Sequence, residues 1–355
     1  MTNITFTKNT SPYIRKETST KRMMFDVLIA LIPITIFTVY KFGLSSLIKI
    51  LISLIVFVLV ELIYFLATTK ATGFNFKERF INKFSKYTIN HISAPLVSGL
   101  IYVFLLPDQI SLYVVVMGAL FGSLVGKMIF GGLGSNLFNP AALGRVFVGV
   151  AFAGFFTGSY GFVDAGAGAT ALGTEFPGVL NSYSILDLLI GNIPGSLGEI
   201  NAILILIGAA YLFIRRSADF RPALVGLLTF TLFITVAGFF LHPDYLIEFV
   251  LYHVLSGGLL FGLSFMITDP ATSPVTRPGR VWLGFIVGFI IFSIRIFGNL
   301  PEGVAFAILF GNLITPLIDY PKWSTNLYKK RFFISFGTTV VLLIGVVALV
   351  LGGIF

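Results

Sequence analysis

Cysteine is absent from the 355 residues, so the chain itself offers no disulfide, no thiolate for an iron–sulfur cluster and no cysteine-held zinc. Charge is scarce as well. Only 11% of the residues are Asp, Glu, Lys or Arg, where a soluble domain carries roughly a quarter. The three histidines, His91, His242 and His253, stand too far apart to form a metal-ligand motif. Lys and Arg are missing altogether from residues 159–199. What fills the chain instead is apolar: 56% hydrophobic residues, 39 of them Phe. They come in runs long enough to cross a hydrocarbon core of about 30 Å, which takes roughly 20 helical residues. The expected class is therefore an all-α integral membrane protein of about ten to eleven transmembrane helices. The first 22 residues are polar and lead into a full-length span, so no cleavable signal peptide is expected.

Eleven embedded segments are predicted, at 23–41, 44–67, 93–106, 111–130, 144–158, 200–214, 221–241, 246–267, 281–297, 302–315 and 333–354. Several are too short to cross alone and stop at Pro or Gly clusters, as broken helices do where backbone lines a protein interior. The formal net charge of +9 is spread in short patches between apolar runs, a topology signal and not a nucleic-acid surface. With the N-terminus in the cytoplasm, 21 of the 24 basic residues fall on the inner side, Lys127 and Arg145 among them. Stretch 159–199, whose charges are Asp164, Glu175, Asp187 and Glu199, then lies outside. The expected surroundings are membrane lipid and no nucleic acid.

Two stretches resemble each other. Ser98-Gly99, Leu105-Leu106-Pro107-Asp108, an apolar span, Phe130-Gly131-Gly132-Leu133 and Asn139-Pro140 are followed much later by a second series. That series reads Ser256-Gly257, Ile267-Thr268-Asp269-Pro270, an apolar span, Phe297-Gly298-Asn299-Leu300 and a short helix ending near Pro316. The charge count puts Pro107 outside and Pro270 inside, so the repeat is inverted, the architecture of many transporters. The organisation that follows is a cytoplasmic segment 1–22, a first membrane repeat 23–158, an extracytoplasmic loop 159–199, a second repeat 200–318, and 319–355 as a cytoplasmic loop with an extra helix.

Gly122-Ser123-Leu124-Val125-Gly126-Lys127 imitates a phosphate loop, but its spacing is short and Met128 replaces the required hydroxyl. Gly118, Gly122 and Gly126 read instead as a stripe for close helix packing. Three regions carry chemistry. One is the outer loop Asp164-Ala165-Gly166-Ala167-Gly168-Ala169-Thr170-Ala171-Leu172. Another runs from Gly131 to Arg145 and offers Asn136 and Asn139 amid dense glycine, which suits backbone approach to a planar polar ring. The third is Thr268-Asp269-Pro270-Ala271-Thr272-Ser273-Pro274, with Pro316-Leu317-Ile318-Asp319 downstream.

Together these motifs resemble the family shared by the Rnf D subunit and the B subunit of the sodium-pumping NADH:quinone oxidoreductase, over nearly the whole chain. The resemblance implies that Thr170, in Asp-x-x-x-Gly-Ala-Thr-x-Leu, carries FMN through a phosphoester bond installed by a flavin transferase. Asp164, Gly168 and Ala169 would form the rest of that motif. It also implies a second, non-covalent flavin (riboflavin or FMN) near Asn136 and Asn139. The short N-terminal segment, Ser93 before the third span and Gly-Gly-Leu-Gly before Asn136 look like the D subunit. The expected function is a flavin-carrying subunit, with no catalytic residue of its own, of an Rnf-type translocase. It would relay electrons between ferredoxin and NAD beside other membrane and peripheral subunits, and couple them to Na⁺ or H⁺. The B subunit of the quinone reductase and a cofactor-free channel or transporter remain open alternatives. Candidate acids near the membrane are Asp26, Glu61, Asp269 and Asp319, for which cap or helix-end roles are equally open. Phe261 and Phe265, one helical turn apart, would narrow a pathway fed by Asp269.

Overall fold

The computed structural model describes residues 19–70, 75–156, 176–181, 183–298 and 303–353. Among these residues the chain is helical, and the sole β pairing is one isolated bridge between Pro107 and Ser196. The helices are α1 (Thr20–Thr68), α2 (Phe76–Phe84), α3 (Asn90–Phe104), α4 (Leu112–Ser123), α5 (Pro140–Ala151), α6 (Ala153–Phe156), α7 (Ile185–Ile190) and α8 (Ala202–Ile214). They continue as α9 (Phe220–Leu241), α10 (Leu246–Leu255), α11 (Leu259–Phe261), α12 (Arg277–Phe297), α13 (Val304–Ile318) and α14 (Lys330–Leu351). Two of them end in a π turn, α4 at Leu124–Met128 and α11 at Gly262–Met266.

Each of the eleven predicted segments has its helix. The first two are one element, α1, broken at Gly43, whose φ of 70° and ψ of −157° no helix tolerates. Ser46 Oγ donates to the Gly43 carbonyl at 2.7 Å and so takes up an acceptor stranded by the break. The eighth segment is α10 and α11, bent by 54° across Ser256–Gly258. Three differences from the sequence reading have physical reasons. Asn139-Pro140 is not a free turn but the start of α5. Asn139 Oδ1 accepts from the amides of Ala141 and Ala142, and Pro140 occupies a first turn that needs no N–H. α13 runs through Pro316 to Ile318, because a proline this close to a helix end costs few bonds. Stretch 68–92 holds the amphipathic α2, whose Lys83 Nζ donates to Leu66 O in the last turn of α1 at 2.5 Å.

Three antiparallel pairings join helices of the first half to helices of the second. Near its start α1 meets the end of α8, where Tyr211 and Ser217 both donate to Asp26, while Thr38, further along α1, donates to Leu197 O before α8 begins. α3 runs against α11: Phe104 packs on Phe261 with ring centroids 6.1 Å apart, and Ala94 and Val97 share a cavity with Phe265. α5 runs against α13, since the Asn139 amide donates to Asn312 Oδ1 at 3.0 Å and Val146 shares a pocket with Val304. The molecule thus has a near end, holding Thr20, Asn139 and Asp269, and a far end, holding Gly43, Pro107 and Gly257. Outward-facing residues such as Ile36, Tyr40, Ile63, Leu228 and Leu342 are exposed along the lengths of their helices. That belt is the lipid-facing surface of a multi-pass membrane protein. α14 stands outside the repeat, packed on α12 by Phe336, whose ring lies 5.3 Å from Trp282 and 5.2 Å from Phe285.

Candidate functional site

Where the two repeats meet, the near end encloses a cavity of about 420 Å³, inside the usual range for small-molecule sites. Its apolar lining comes from Met23, Val27, Val97, Ile101, Leu212 and Phe265, and its polar lining from Asn90, Lys127, Asn136, Asn139, Thr268 and Asp269. Exposed Thr20 and Gly134 stand at its rim. Both π turns reach it, through Lys127 and Phe265; widened turns of this kind collect at functional sites.

The polar wall is held by backbone caps. Asn136 Nδ2 donates to Phe138 O at 3.1 Å, which folds the loop back onto α5. Asn139 is buried, and its Nδ2 reaches Met266 O across the repeat boundary at 3.4 Å. Asp269 Oδ1 accepts from the Ala271 amide at 3.1 Å. Asn90 adds a buried Oδ1 with no hydrogen-bond partner in the structure. A planar, hydrogen-bonding ring fits these residues, which combine amides and an unsatisfied oxygen with aliphatic side chains and one aromatic ring.

Beyond the cavity the interface closes. On α3 the cavity ends at Ile101, and Leu105, one turn on, lines a second pocket of about 40 Å³ at the far end. On α11 that pocket begins at Gly257, and the cavity resumes at Phe265. Between them lie the packed rings of Phe104 and Phe261, both fully buried. Phe265 stacks near Phe261, with centroids 5.2 Å apart. The packed phenylalanines thus form a septum between two unequal vestibules.

The structure thus brings Asn136, Asn139, Phe265 and Asp269 together. Phe261 sits in the septum. Asp319 lies outside the lining, where its Oδ2 accepts from the Val275 amide at 2.9 Å and ties the end of α13 to the 270–276 loop. Thr170, Asp164, Gly168 and Ala169 lie outside the described residues. Arg145, counted among the inner charges, lies one turn into α5 and points the other way: its Nε donates to Leu105 O at 2.8 Å. Lys127 is no solvated topology charge either. It is buried and paired with Glu61 at 2.6 Å.

Sequence reasoning missed three contributors. Phe104 was hidden in an apolar run with no local signal. Asn312 and the Glu61–Lys127 pairing left a trace, since each places a polar group inside an apolar helix.

Comparison with known proteins decides the family. The profile of the NQR2, RnfD, RnfE family matches residues 7–326. The chain belongs to this family. It is 33% identical over 324 residues to the D subunit of the Na(+)-translocating ferredoxin:NAD(+) oxidoreductase complex of Acetobacterium woodii, covering 90% of this chain and 94% of that protein. It is 38% identical over 244 residues to the B subunit of the Na(+)-translocating NADH-quinone reductase of Chromohalobacter salexigens, and 35% identical over 245 residues to that of Azotobacter vinelandii. These matches cover 66% of this chain, and the chain spans only 59% and 60% of the two quinone-reductase relatives. As a member of the NQR2, RnfD, RnfE family, the chain has its Asn-x-x-Asn-Pro loop at the wall of this cavity.

Proposed function

We propose that this protein is the flavin-carrying membrane subunit of an Rnf-type ion-translocating oxidoreductase, in the cytoplasmic membrane of a prokaryote. The observation that carries the reading is the interfacial cavity, whose polar wall is the Asn136–Asn139 loop. Similarity along almost the full length of the ferredoxin:NAD(+) oxidoreductase relative, against a partial match to the quinone-reductase relatives, favours the Rnf-type assignment. A cofactor-free channel has no use for the Asp164–Leu172 motif.

Under this reading Thr170 holds FMN by a phosphoester bond on the extracytoplasmic side, where a flavin transferase acts on the glycine-rich loop. A non-covalent flavin lies in the cavity at the cytoplasmic end and supplies one-electron redox chemistry there. Asn136, Asn139 and Asn90 orient its polar edge, and Phe265 and Ile101 shield its ring from water. Electrons pass to and from neighbouring subunits, in the order that links ferredoxin and NAD. Charge placed in a low-dielectric interior attracts a counter-charge, and Asp269 at the cavity wall faces cations entering from the cytoplasm. The Phe104–Phe261 septum is the barrier that Na⁺ or H⁺ must cross, and Asp319 holds the loop bearing Asp269 in place.

The test is direct. The denatured wild-type chain should fluoresce on a gel and its loop peptide should carry the mass of FMN, whereas Thr170→Ala should lose both and still insert in the membrane. Asn139→Leu should release most of the acid-extractable flavin and leave the covalent signal intact. A fluorescent Thr170→Ala chain would move the covalent flavin to another residue, and a non-fluorescent wild-type chain with an unmodified loop peptide would return the protein to the channel or scaffold class.

A further inference from the structure

Three basic residues stand apart from the 21 counted on the inner side: Lys41, Lys49 and Arg295. Two of them are occupied by backbone. Lys41 donates to the carbonyls of Gly191 and Ile193, and Arg295 to those of His253, Ser256 and Gly257. Lys49 is the exception. Its side chain is 5% exposed, and an ammonium has three N–H groups to place. Among the described residues it makes one hydrogen bond, to Ser45 Oγ. Asp108 lies 3.6 Å away, an ion-pair distance too long for a hydrogen bond. Asp108 Oδ1 is itself buried without a hydrogen-bond partner, and so is Ser111 Oγ. Ser111 is the N-cap of α4, where a serine normally accepts from a helix amide; here it makes no such bond. Buried polar groups left open around a loose ion pair are costly unless something else meets them. These groups share one pocket of about 420 Å³ at the far end, where α1 resumes after its break and α3 turns into α4. Ile48 and Leu112 line it too, and both are exposed, as are Leu44 and Tyr113 beside them. The pocket therefore opens on the lipid-facing belt, at the level of one membrane surface.

We propose that this pocket binds the headgroup of a phospholipid that carries a primary ammonium, a phosphoethanolamine. The pocket holds one positive and one negative group with two hydroxyls, the complement of a zwitterion. The phosphate takes the open N–H groups of Lys49, the Ser111 hydroxyl and the start of α4, whose first amides have no intrahelical acceptor. The lipid ammonium donates to Asp108 Oδ1, and the acyl chains run along Ile48 and Leu112. This chemistry selects among lipids. A choline headgroup has no N–H to give to Asp108. A glycerol headgroup has no positive charge, so its phosphate stands uncompensated beside the carboxylate. The bound lipid ties the part of α1 that follows Gly43 to the loop between α3 and α4.

The experiment uses the full-length chain, stripped of lipid in detergent. It is titrated with dioleoyl phosphatidylethanolamine, phosphatidylcholine or phosphatidylglycerol while native mass spectrometry counts bound lipid. The wild type should hold one phosphatidylethanolamine about tenfold more tightly than either other lipid, the worth of one charge-assisted hydrogen bond at its lower bound. Asp108→Asn should bring the ethanolamine and choline lipids to equal affinity. Lys49→Met should weaken both, since both carry the phosphate. Ser111→Ala, which removes a hydroxyl and no charge, should also weaken both and guards against misfolding of Lys49→Met. In phosphatidylcholine nanodiscs the wild type and Asp108→Asn should unfold at nearly the same temperature, and added phosphatidylethanolamine should stabilise only the wild type. Soluble phosphoethanolamine should not reproduce that gain, because it lacks the chains that lie on Ile48 and Leu112. If it does, the site takes a free headgroup and the lipid reading falls. Equal affinity of the wild type for all three lipids, a preference for phosphatidylglycerol, or an Asp108→Asn chain with wild-type selectivity overturns the site.

Discussion

The two halves of this molecule share a topology and close it with different helix pairs. In the first, α4 lies against α5: Gly144 sits under the Gly118 carbonyl, and Gly122 under the carbonyl of Pro140. In the second, α12 lies against α9: Gly284 sits under the carbonyl of Pro222, and Gly288 under that of Gly226. Each half thus presses a glycine stripe onto a helix with a proline in its first turn, but the partner has changed. The ion pairs have changed polarity too. The first half joins a base on α1 to an acid before α4, Lys49 to Asp108 at 3.6 Å. The second joins an acid before α9, Asp219, to Arg221 at 2.7 Å and to Arg280 on α12. The comparison teaches that inverted symmetry constrains the path of the backbone, while the contacts that rigidify each half are free to differ. The backbone-to-backbone seam of the first half braces α5, whose N-terminus carries Asn139. In the second half the corresponding helix, α13, meets α12 through side chains, with Gly311 against Val287 and Leu283.

The largest effects should come from the seams. Gly284→Ala sets a methyl group 2.5 Å from the Pro222 carbonyl, where only backbone can yield, and should cost about 1–3 kcal/mol. Gly144→Ala, 2.7 Å from the Gly118 carbonyl, should cost about as much. Thermal unfolding in detergent measures both, and an unshifted midpoint for either would show that its seam is not close-packed. The ion pairs come next. Asp219→Asn should cost about 1.5–3 kcal/mol, since the carboxylate accepts charged hydrogen bonds. The lone, longer Lys49–Asp108 contact should be worth about 0–1 kcal/mol. Burial alone would raise the Asp219 carboxyl, but the Arg221 amide and the Arg280 and Arg221 guanidiniums outweigh it and hold Asp219 below the usual carboxylate range. Its stabilisation is therefore present above the unfolded value of about 3.9 and lost as pH falls through the lower folded value. Denaturation curves from neutral to strongly acidic pH should show that loss in the wild type and not in Asp219→Asn. The smallest effect lies outside both halves. Gly337 of α14 has open space around its missing methyl group, so Gly337→Ala should gain up to about 1 kcal/mol from helix propensity alone.

How much of this was legible beforehand follows from the physics of each element. Apolar runs announce helices, so α1, α9, α12 and α14 could be read from their length. The ends of broken helices could be read from Pro and Gly, because those residues act locally. The gathering of Asn136, Asn139 and Asp269 was only half visible: the motifs marked the residues, but α5 meeting α13 through Asn139 and Asn312 is a long-range event with no periodic trace. α2 escaped because nine residues between charged neighbours look like loop until their apolar face finds a surface. The direction of Arg145 escaped for a related reason, since charge counting assumes that every base near a helix end seeks water, and a buried carbonyl can substitute.

The unequal vestibules have an electrical consequence. A cavity of about 420 Å³ with an exposed rim admits water and mobile ions deep into the protein, and these conduct the potential of the adjoining solution inward. The far pocket, at about 40 Å³, has room for little more than a single water. A larger share of the voltage across the membrane therefore falls over the packed layer of Phe265, Phe261 and Phe104 than over the cavity. Under the proposed function, a cation that crosses this layer moves through a disproportionate share of a field worth about 2.3 kcal/mol per charge at 100 mV, for the part of the bilayer's thickness it travels.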